Sequence, residues 1–507
     1  MDLKLEQEYV HGFLPLLETE LAQEETLESI VPDAYPDILR VVDCCGQIML
    51  TGKSIHDGEV SINGVIHAWL LYQPEDAQPM QNMELTLPFT ARTAAPDADE
   101  NCRCVALPRL RAMDVRALNP RKILVRADLG VSLDLYRHTQ FSVCSGIASQ
   151  PEDGIQQRFQ EHCVYTTPAV QEKEFSLYEE VRLNAGGEQP PRLLCAQATP
   201  ICTESRIIGN KFVFKGDVRL QLRLLCDGQV ISQSTGIPFS QIMEISEAGE
   251  NADASVELCV TGFECTVSGE DARMLTVSMD ILAQSTIREQ VCISVLEDAY
   301  STRCPLQMHR ENWEQERLIE RTVRTENLRE VLELTGGVHT IMDTQADIVD
   351  VTIPRRDNTF EPASQVRVRV LYLDESEQLR CVNRVLSTSV RLAAPDGTHC
   401  RCRCICPGDV YASPAAGGIE VRLSVLLQLS LTTRTAIPVI SEVQPGERDT
   451  NRTCDRPSVI LRAAAPGERL WDIAKIYSTT CEQIRNANCL DSDELPVGKM
   501  LLIPGIG

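Results

Sequence analysis

Residues 192–229 read RLLCAQATPICTESRIIGNKFVFKGDVRLQLRLLCDGQ, and the short run from Val218 to Leu222 decides the fold. Val218, Leu220 and Leu222 alternate with Arg219 and Gln221. A period of two places the apolar side chains on one face of a strand and the polar ones on the other. The pattern occurs twice more, by type of residue and not by identity. Residues 37–76, DILRVVDCCGQIMLTGKSIHDGEVSINGVIHAWLLYQPED, carry Ile66, Ala68 and Leu70. Residues 341–376, IMDTQADIVDVTIPRRDNTFEPASQVRVRVLYLDES, carry Val366, Val368 and Val370. The nine apolar residues are expected in cores, and His67, Arg219, Gln221, Arg367 and Arg369 mostly in water.

Each copy then continues in parallel. Leu87-Pro88-Phe89 corresponds to Ile237-Pro238-Phe239, and Ala94-Ala95-Pro96-Asp97 to Ala393-Ala394-Pro395-Asp396. Each closes on a further alternating stretch, beginning at Ile123, Met274 and Ile419. Short strands separated by Gly, Asp and Pro turns predict β-sandwich-like or barrel-like units of roughly 100 residues each. The expected fold is mainly β: three repeated units, a short N-terminal helical segment and a small C-terminal domain. The helical segment rests on LPLLETELAQEETLESI within Leu3–Ile30, stopped by Pro32; Glu311–Leu334 is expected to be partly helical. The expected divisions are 1–34 helical, 35–145 unit 1, 146–290 connector and unit 2, 291–436 connector and unit 3, 437–457 linker and 458–507 terminal domain. The linker is polar and turn-rich, so few contacts are expected to cross it.

With 507 residues, 43% of them apolar, the chain can fill several cores, and at 5% aromatics these should be mainly Val, Leu and Ile. A formal charge of −25 repels phosphate backbones, which argues against nucleic acid as a partner. The 21 cysteines are scattered through strand-like segments of a long chain, which predicts buried free thiols in a reducing compartment. The opening MDLKLEQEYV has neither a basic n-region nor an apolar h-region, so no signal peptide is expected, and no stretch reaches the ~18 apolar residues of a membrane span.

The β units resemble the SPOCS domain of endospore-forming bacteria, through the alternating Val/Leu strand and the LPF-like strand that follows it. The resemblance covers most of residues 35–435. Residues 458–507, SVILRAAAPGERLWDIAKIYSTTCEQIRNANCLDSDELPVGKMLLIPGIG, resemble a LysM module. GERLWDIAKIY is similar to that family's first helix, TCEQIRNANCL to its second, and DELPVGKMLLIP to its closing loop and strand, which implies a βααβ domain. Ser478 or Thr479 is expected to cap the second helix, with Glu482 completing a capping box. The entry departs from the family, with Arg469 where a Thr is usual. Carried over, the family's ligand groove would be Gly467, Glu468, Arg469 and Leu470 facing Asn488, Leu490, Leu495 and Pro496. Trp471 and Ile473, at helical spacing, are expected in the core. SPOCS-like units followed by a LysM module is the arrangement of SipL-like spore morphogenesis proteins.

No constellation for catalysis stands out. Cys400, Cys402, Cys404 and Cys406 alternate along a strand, a spacing that sets thiols side by side rather than converging on an ion as C-x2-C knuckles do. Cys102 and Cys104 align with Cys400 and Cys402, and Val256 and Leu258 stand there in the second copy, so core thiols are favoured over a metal. Thr51-Gly52-Lys53-Ser54 suggests a phosphate loop, but Gln47 stands where its first glycine belongs and no helix is expected after it. No cofactor, metal or catalytic residue is therefore expected. The resemblance implies a cytoplasmic mother-cell protein at the forespore surface or spore coat, its LysM docking the coat basement-layer ATPase. The alternative is binding to the N-acetylglucosamine glycan of peptidoglycan.

Overall fold

The computed structural model describes residues 3–75, 79–184, 190–245, 249, 252–268, 273–406, 410–446, 459–493, 495 and 498–504. Strands dominate it. The first set is β1 (Lys4–Ile30), β2 (Ile38–His56), β3 (Glu59–Pro74), β4 (Gln81–Ala94), β5 (Arg103–Asn119) and β6 (Lys122–Ala148). The second is β7 (Ile155–Arg182), β8 (Arg192–Ile208), β9 (Lys211–Cys226), β10 (Gln229–Glu244), β11 (Asp253–Ser268) and β12 (Met274–Ser301). The third is β13 (Leu306–Glu333), β14 (Val338–Thr352), β15 (Arg355–Arg356), β16 (Thr359–Phe360), β17 (Ala363–Asp374), β18 (Leu379–Ser389), β19 (Leu392–Ala393), β20 (Thr398–Ile405), β21 (Tyr411–Ala415) and β22 (Gly418–Pro445). A terminal module holds β23 (Val459–Ala463), α1 (Leu470–Tyr477), α2 (Cys481–Asn488) and β24 (Met500–Pro504).

One strand order recurs in all three sets. A meander sheet, β2-β3-β4, β8-β9-β10 or β14-β17-β18, packs on a second antiparallel sheet, β1-β6-β5, β7-β12-β11 or β13-β22-β20. Two-residue turns join the hairpins: Asp57-Gly58 and Asp227-Gly228 have positive φ at both positions, as the tight turns matching the twist of paired strands require. The central strands β3, β9 and β17 bury all nine alternating residues, Ile66 through Val370, at 0% exposure. Against them lie the inward faces of β6, β12 and β22, including Leu129, Ile281 and Val425.

Several expectations need correction. Lys4–Ile30 is not helical: it is β1, paired with β6 along its length, and Leu17, Leu21 and Leu27 lie against the first core. Their spacings of four and six are both even and so fit period two, and the long partner strand outweighs helix propensity. Glu311–Leu334 likewise lies almost wholly within β13, paired with β22. The boundaries at 290 and 436 therefore fall inside β12 and β22, and the supposed linker is strand as far as Pro445, with residues 447–458 outside the described residues. The strands also run up to 28 residues, far from short.

That length builds a second core. The outer halves of the β1–β6, β7–β12 and β13–β22 ribbons run past the sandwiches and meet, burying Val143, Val164, Ile293, Val295, Trp313, Ile437 and Val439 together. The three sets are further joined through faces expected in water. Arg223, Arg367 and Arg369 are all buried, because each set's meander sheet packs on its neighbours. Arg223 bonds Asp343 at 2.8 Å and pairs with Asp43, and Arg369 donates to Gln345 and, at 2.9 Å, to Gln197. Burial would raise the Asp43 carboxyl, but Arg369 and Arg223 hold it down at about 2.

Sixteen of the described cysteines are free thiols and most of them are at least half-buried, as expected. Cys45 and Cys195 approach each other between the first and second sets, and Cys163 and Cys292 lie opposite each other on β7 and β12. Cys400, Cys404 and Cys406 lie in the third core, and Cys102 and Cys104 in the first. Thr51–Ser54 is interior to β2, where Lys53 Nζ donates to the Cys104 carbonyl at 2.6 Å and to Gln284 Oε1 at 2.8 Å. No helix among the described residues is long and apolar enough to cross a membrane.

Candidate binding surface of the terminal module

The terminal module is built in the order β23, α1, α2, β24, with β23 and β24 antiparallel. Leu470, Ile473 and Ala474 of α1, Ile484 of α2, and Leu501 and Ile503 of β24 form its core. Gly467 takes φ +78° in the turn before α1, a conformation that favours glycine. Arg469 is the N-cap of α1 and supplies no capping hydrogen bond. The cap of α2 is Thr480, one residue beyond the expected position, and its reciprocal partner is Gln483: Thr480 Oγ1 accepts from the Gln483 N–H at 3.1 Å. Ser478 instead ends α1 in the left-handed conformation.

The expected groove residues divide into exposed, committed and interior groups. Gly467 and Arg469 are exposed. Glu468 is committed to its own turn, accepting from the Ala465 N–H at 3.1 Å and pairing with Arg462. The Asn488 amide fastens α2 to β24: it donates to the carbonyls of Ile484 and Leu502 and accepts from the Leu502 N–H, each at 2.7 Å. Leu470 is wholly interior, so only its backbone could meet a ligand, and half-buried Leu490 and Leu495 pack on the same cluster. Pro496 lies outside the described residues.

The outer face of the β23–β24 pair is apolar. Val459, Leu461 and Met500 are 50%, 67% and 57% exposed, and Ile476 on α1 is 62% exposed.

A second contact of the module was not legible in the sequence. Tyr300, at the end of β12, enters the module's apolar cluster, its ring edge-on to Trp471 at 4.9 Å and its hydroxyl donating to the Thr479 carbonyl at 2.8 Å. Asp298 accepts from Trp471 Nε1 at 2.9 Å and from Lys475 Nζ at 2.7 Å on both oxygens, with Arg310 at 3.1 Å. The Arg158 guanidinium lies over the Trp471 indole at 5.3 Å. Burial opposes ionisation of Asp298, but hydrogen bonds from Lys475 and Trp471 hold its carboxyl below the usual range. Burial pushes the Tyr300 phenol up. The contacts between the module and the preceding units are few, as expected, and they concentrate on Tyr300, Asp298 and Arg158. Asp298 and its partners on α1 are more than 170 residues apart, and no local pattern announces them.

Comparison with known families places two domains on this frame. The model described as SipL, SPOCS domain matches residues 37–118, and the LysM domain model matches residues 465–504. No curated protein and no solved structure matches the chain. The chain thus carries a SPOCS domain upstream of a LysM domain, the SipL-like arrangement read from its sequence. That combination fits a sporulation-related protein with a peptidoglycan-binding-type domain, and both families are non-catalytic.

Proposed function

We propose that this chain is a non-enzymatic adaptor of endospore coat assembly, acting in the mother-cell cytoplasm at the forespore surface. Its LysM domain docks a coat morphogenetic protein, the basement-layer ATPase being the candidate partner. The second and third strand sets are SPOCS-type units like the first, and together the three form the scaffold that carries the LysM. The observation that carries a protein partner is the apolar outer face of Val459, Leu461 and Met500. Sugar recognition relies on convergent polar groups, whereas exposed aliphatic side chains suit a protein surface. Glu468 and Asn488, polar members of the expected groove, are already engaged within the module.

Glycan binding is the second reading, favoured by the LysM match itself. Purified chain is tested against the purified coat ATPase and against purified peptidoglycan. The adaptor reading expects ATPase capture that falls at least about tenfold for Leu461→Glu, a charge placed in an apolar interface. Retention on peptidoglycan without ATPase capture would replace it with the glycan reading.

A further inference from the structure

The contact between Tyr300, Asp298 and α1 has the character of a closure, not of chance adjacency. Tyr300 is 4% exposed and belongs to the module's apolar cluster although it is the penultimate residue of β12. Three donors on two elements converge on one carboxylate: Trp471 Nε1 and Lys475 Nζ from α1, and Arg310 from β13. Trp471 and Lys475 are four apart, so they project from one helical face. That face meets a strand whose alternation sends Asp298 and Tyr300 to the same side. Arg158 of β7 adds a cation over the indole and is itself bonded to Glu297 at 3.0 Å.

We propose that Asp298 and Tyr300 are positioning residues: they latch the LysM domain to the ribbon ends in one orientation through Trp471 and Lys475 of α1. What the domain then presents is the β23–β24 outer face and the loops at Arg469 and Leu490. This rests on the reading of the LysM as the docking element and adds how it is presented. Without the latch the domain would be tethered only by the chain, and an occupied partner site would not fix the direction of the scaffold. With it, docking one face orients all three strand sets.

The test uses the full chain with a specific protease site placed between residues 450 and 455. After cleavage the LysM remains associated with the β scaffold during gel filtration only if the latch holds it. Asp298→Asn, on the scaffold, and Lys475→Ala, on a partly exposed position of α1, alter the latch without touching the module's apolar core. Retention of the cut wild-type module is expected, with apparent affinity at least about tenfold weaker in each variant, as suits loss of charge-assisted hydrogen bonds. Release of the wild-type module on cleavage, or equal retention in both variants, would overturn the latch. Because the ATPase is absent from this assay, either result leaves the docking reading to its own test.

Discussion

Gly216 in β9 lies beneath the Phe239 ring, and a Cβ there would collide with the Ile201 carbonyl oxygen of β8. Gly64, the corresponding residue of β3, lies beneath Phe89, and Ser364 stands at that place in β17. The small residue lets the aromatic of the neighbouring strand fold across the sheet. Gly216→Ala should therefore cost about 1–3 kcal/mol, read as a fall in melting temperature. Gly52→Ala in β2, with nothing within 4 Å of the added methyl, should change little. Equal effects would refute the packing argument. Asp134 of β6 offers a titration instead. Burial and Glu18, opposite it on β1, raise its carboxyl to about 6 from 3.8, against the pull of Arg288 and Arg401. The folded state thus holds the proton more tightly than the unfolded chain. This group's contribution declines as pH rises from about 4 to about 6 and is flat above. Asp134→Asn should remove that decline and stabilise the protein at pH 7 by about 1–3 kcal/mol. Parallel stability–pH curves for the two proteins would contradict it.

At the scale of elements, α1 begins at Arg469 without a side-chain cap. Arg469→Thr should stabilise the module by about 1 kcal/mol, measured as slower hydrogen exchange across α1. Unchanged exchange would show that the first turn is held by other means. The LysM helices and the buried central strands were legible because their signals are local: apolar residues at helical spacing in one case, strict alternation in the other. β1 and β13 were not. Their glutamates and leucines suit a helix in isolation, and only the long partners β6 and β22 make them strands. The groove residues were located along the chain, but not their duties. That Asn488 fastens α2 to Leu502 depends on a backbone fourteen residues away. Asp298 and Tyr300 lay beyond any local reading, since what makes them contacts is the folded path of β12.

Across the whole molecule, three similar strand sets are distinguished by unlike residues at like positions. Asp43 and Asp343 stand opposite Leu71 and Leu371 in their own sheets, whereas in the second set Cys195 stands opposite Arg223. One arginine therefore answers two aspartates across the junction. Arg223→Leu would match the other two sets in sequence but leave both carboxylates buried without it, at a cost of about 3–5 kcal/mol in global stability. A loss confined to the second set, with the others unaffected in denaturant titration, would show that the sets unfold separately.

The adaptor reading is tested most directly by where the protein goes in a sporulating cell. A fluorescent fusion of the full chain should form a shell around the forespore on its mother-cell side, and removal of residues 458–507 should disperse it. Diffuse fluorescence from the intact chain in both compartments, or an unchanged shell after the LysM is removed, would contradict the account.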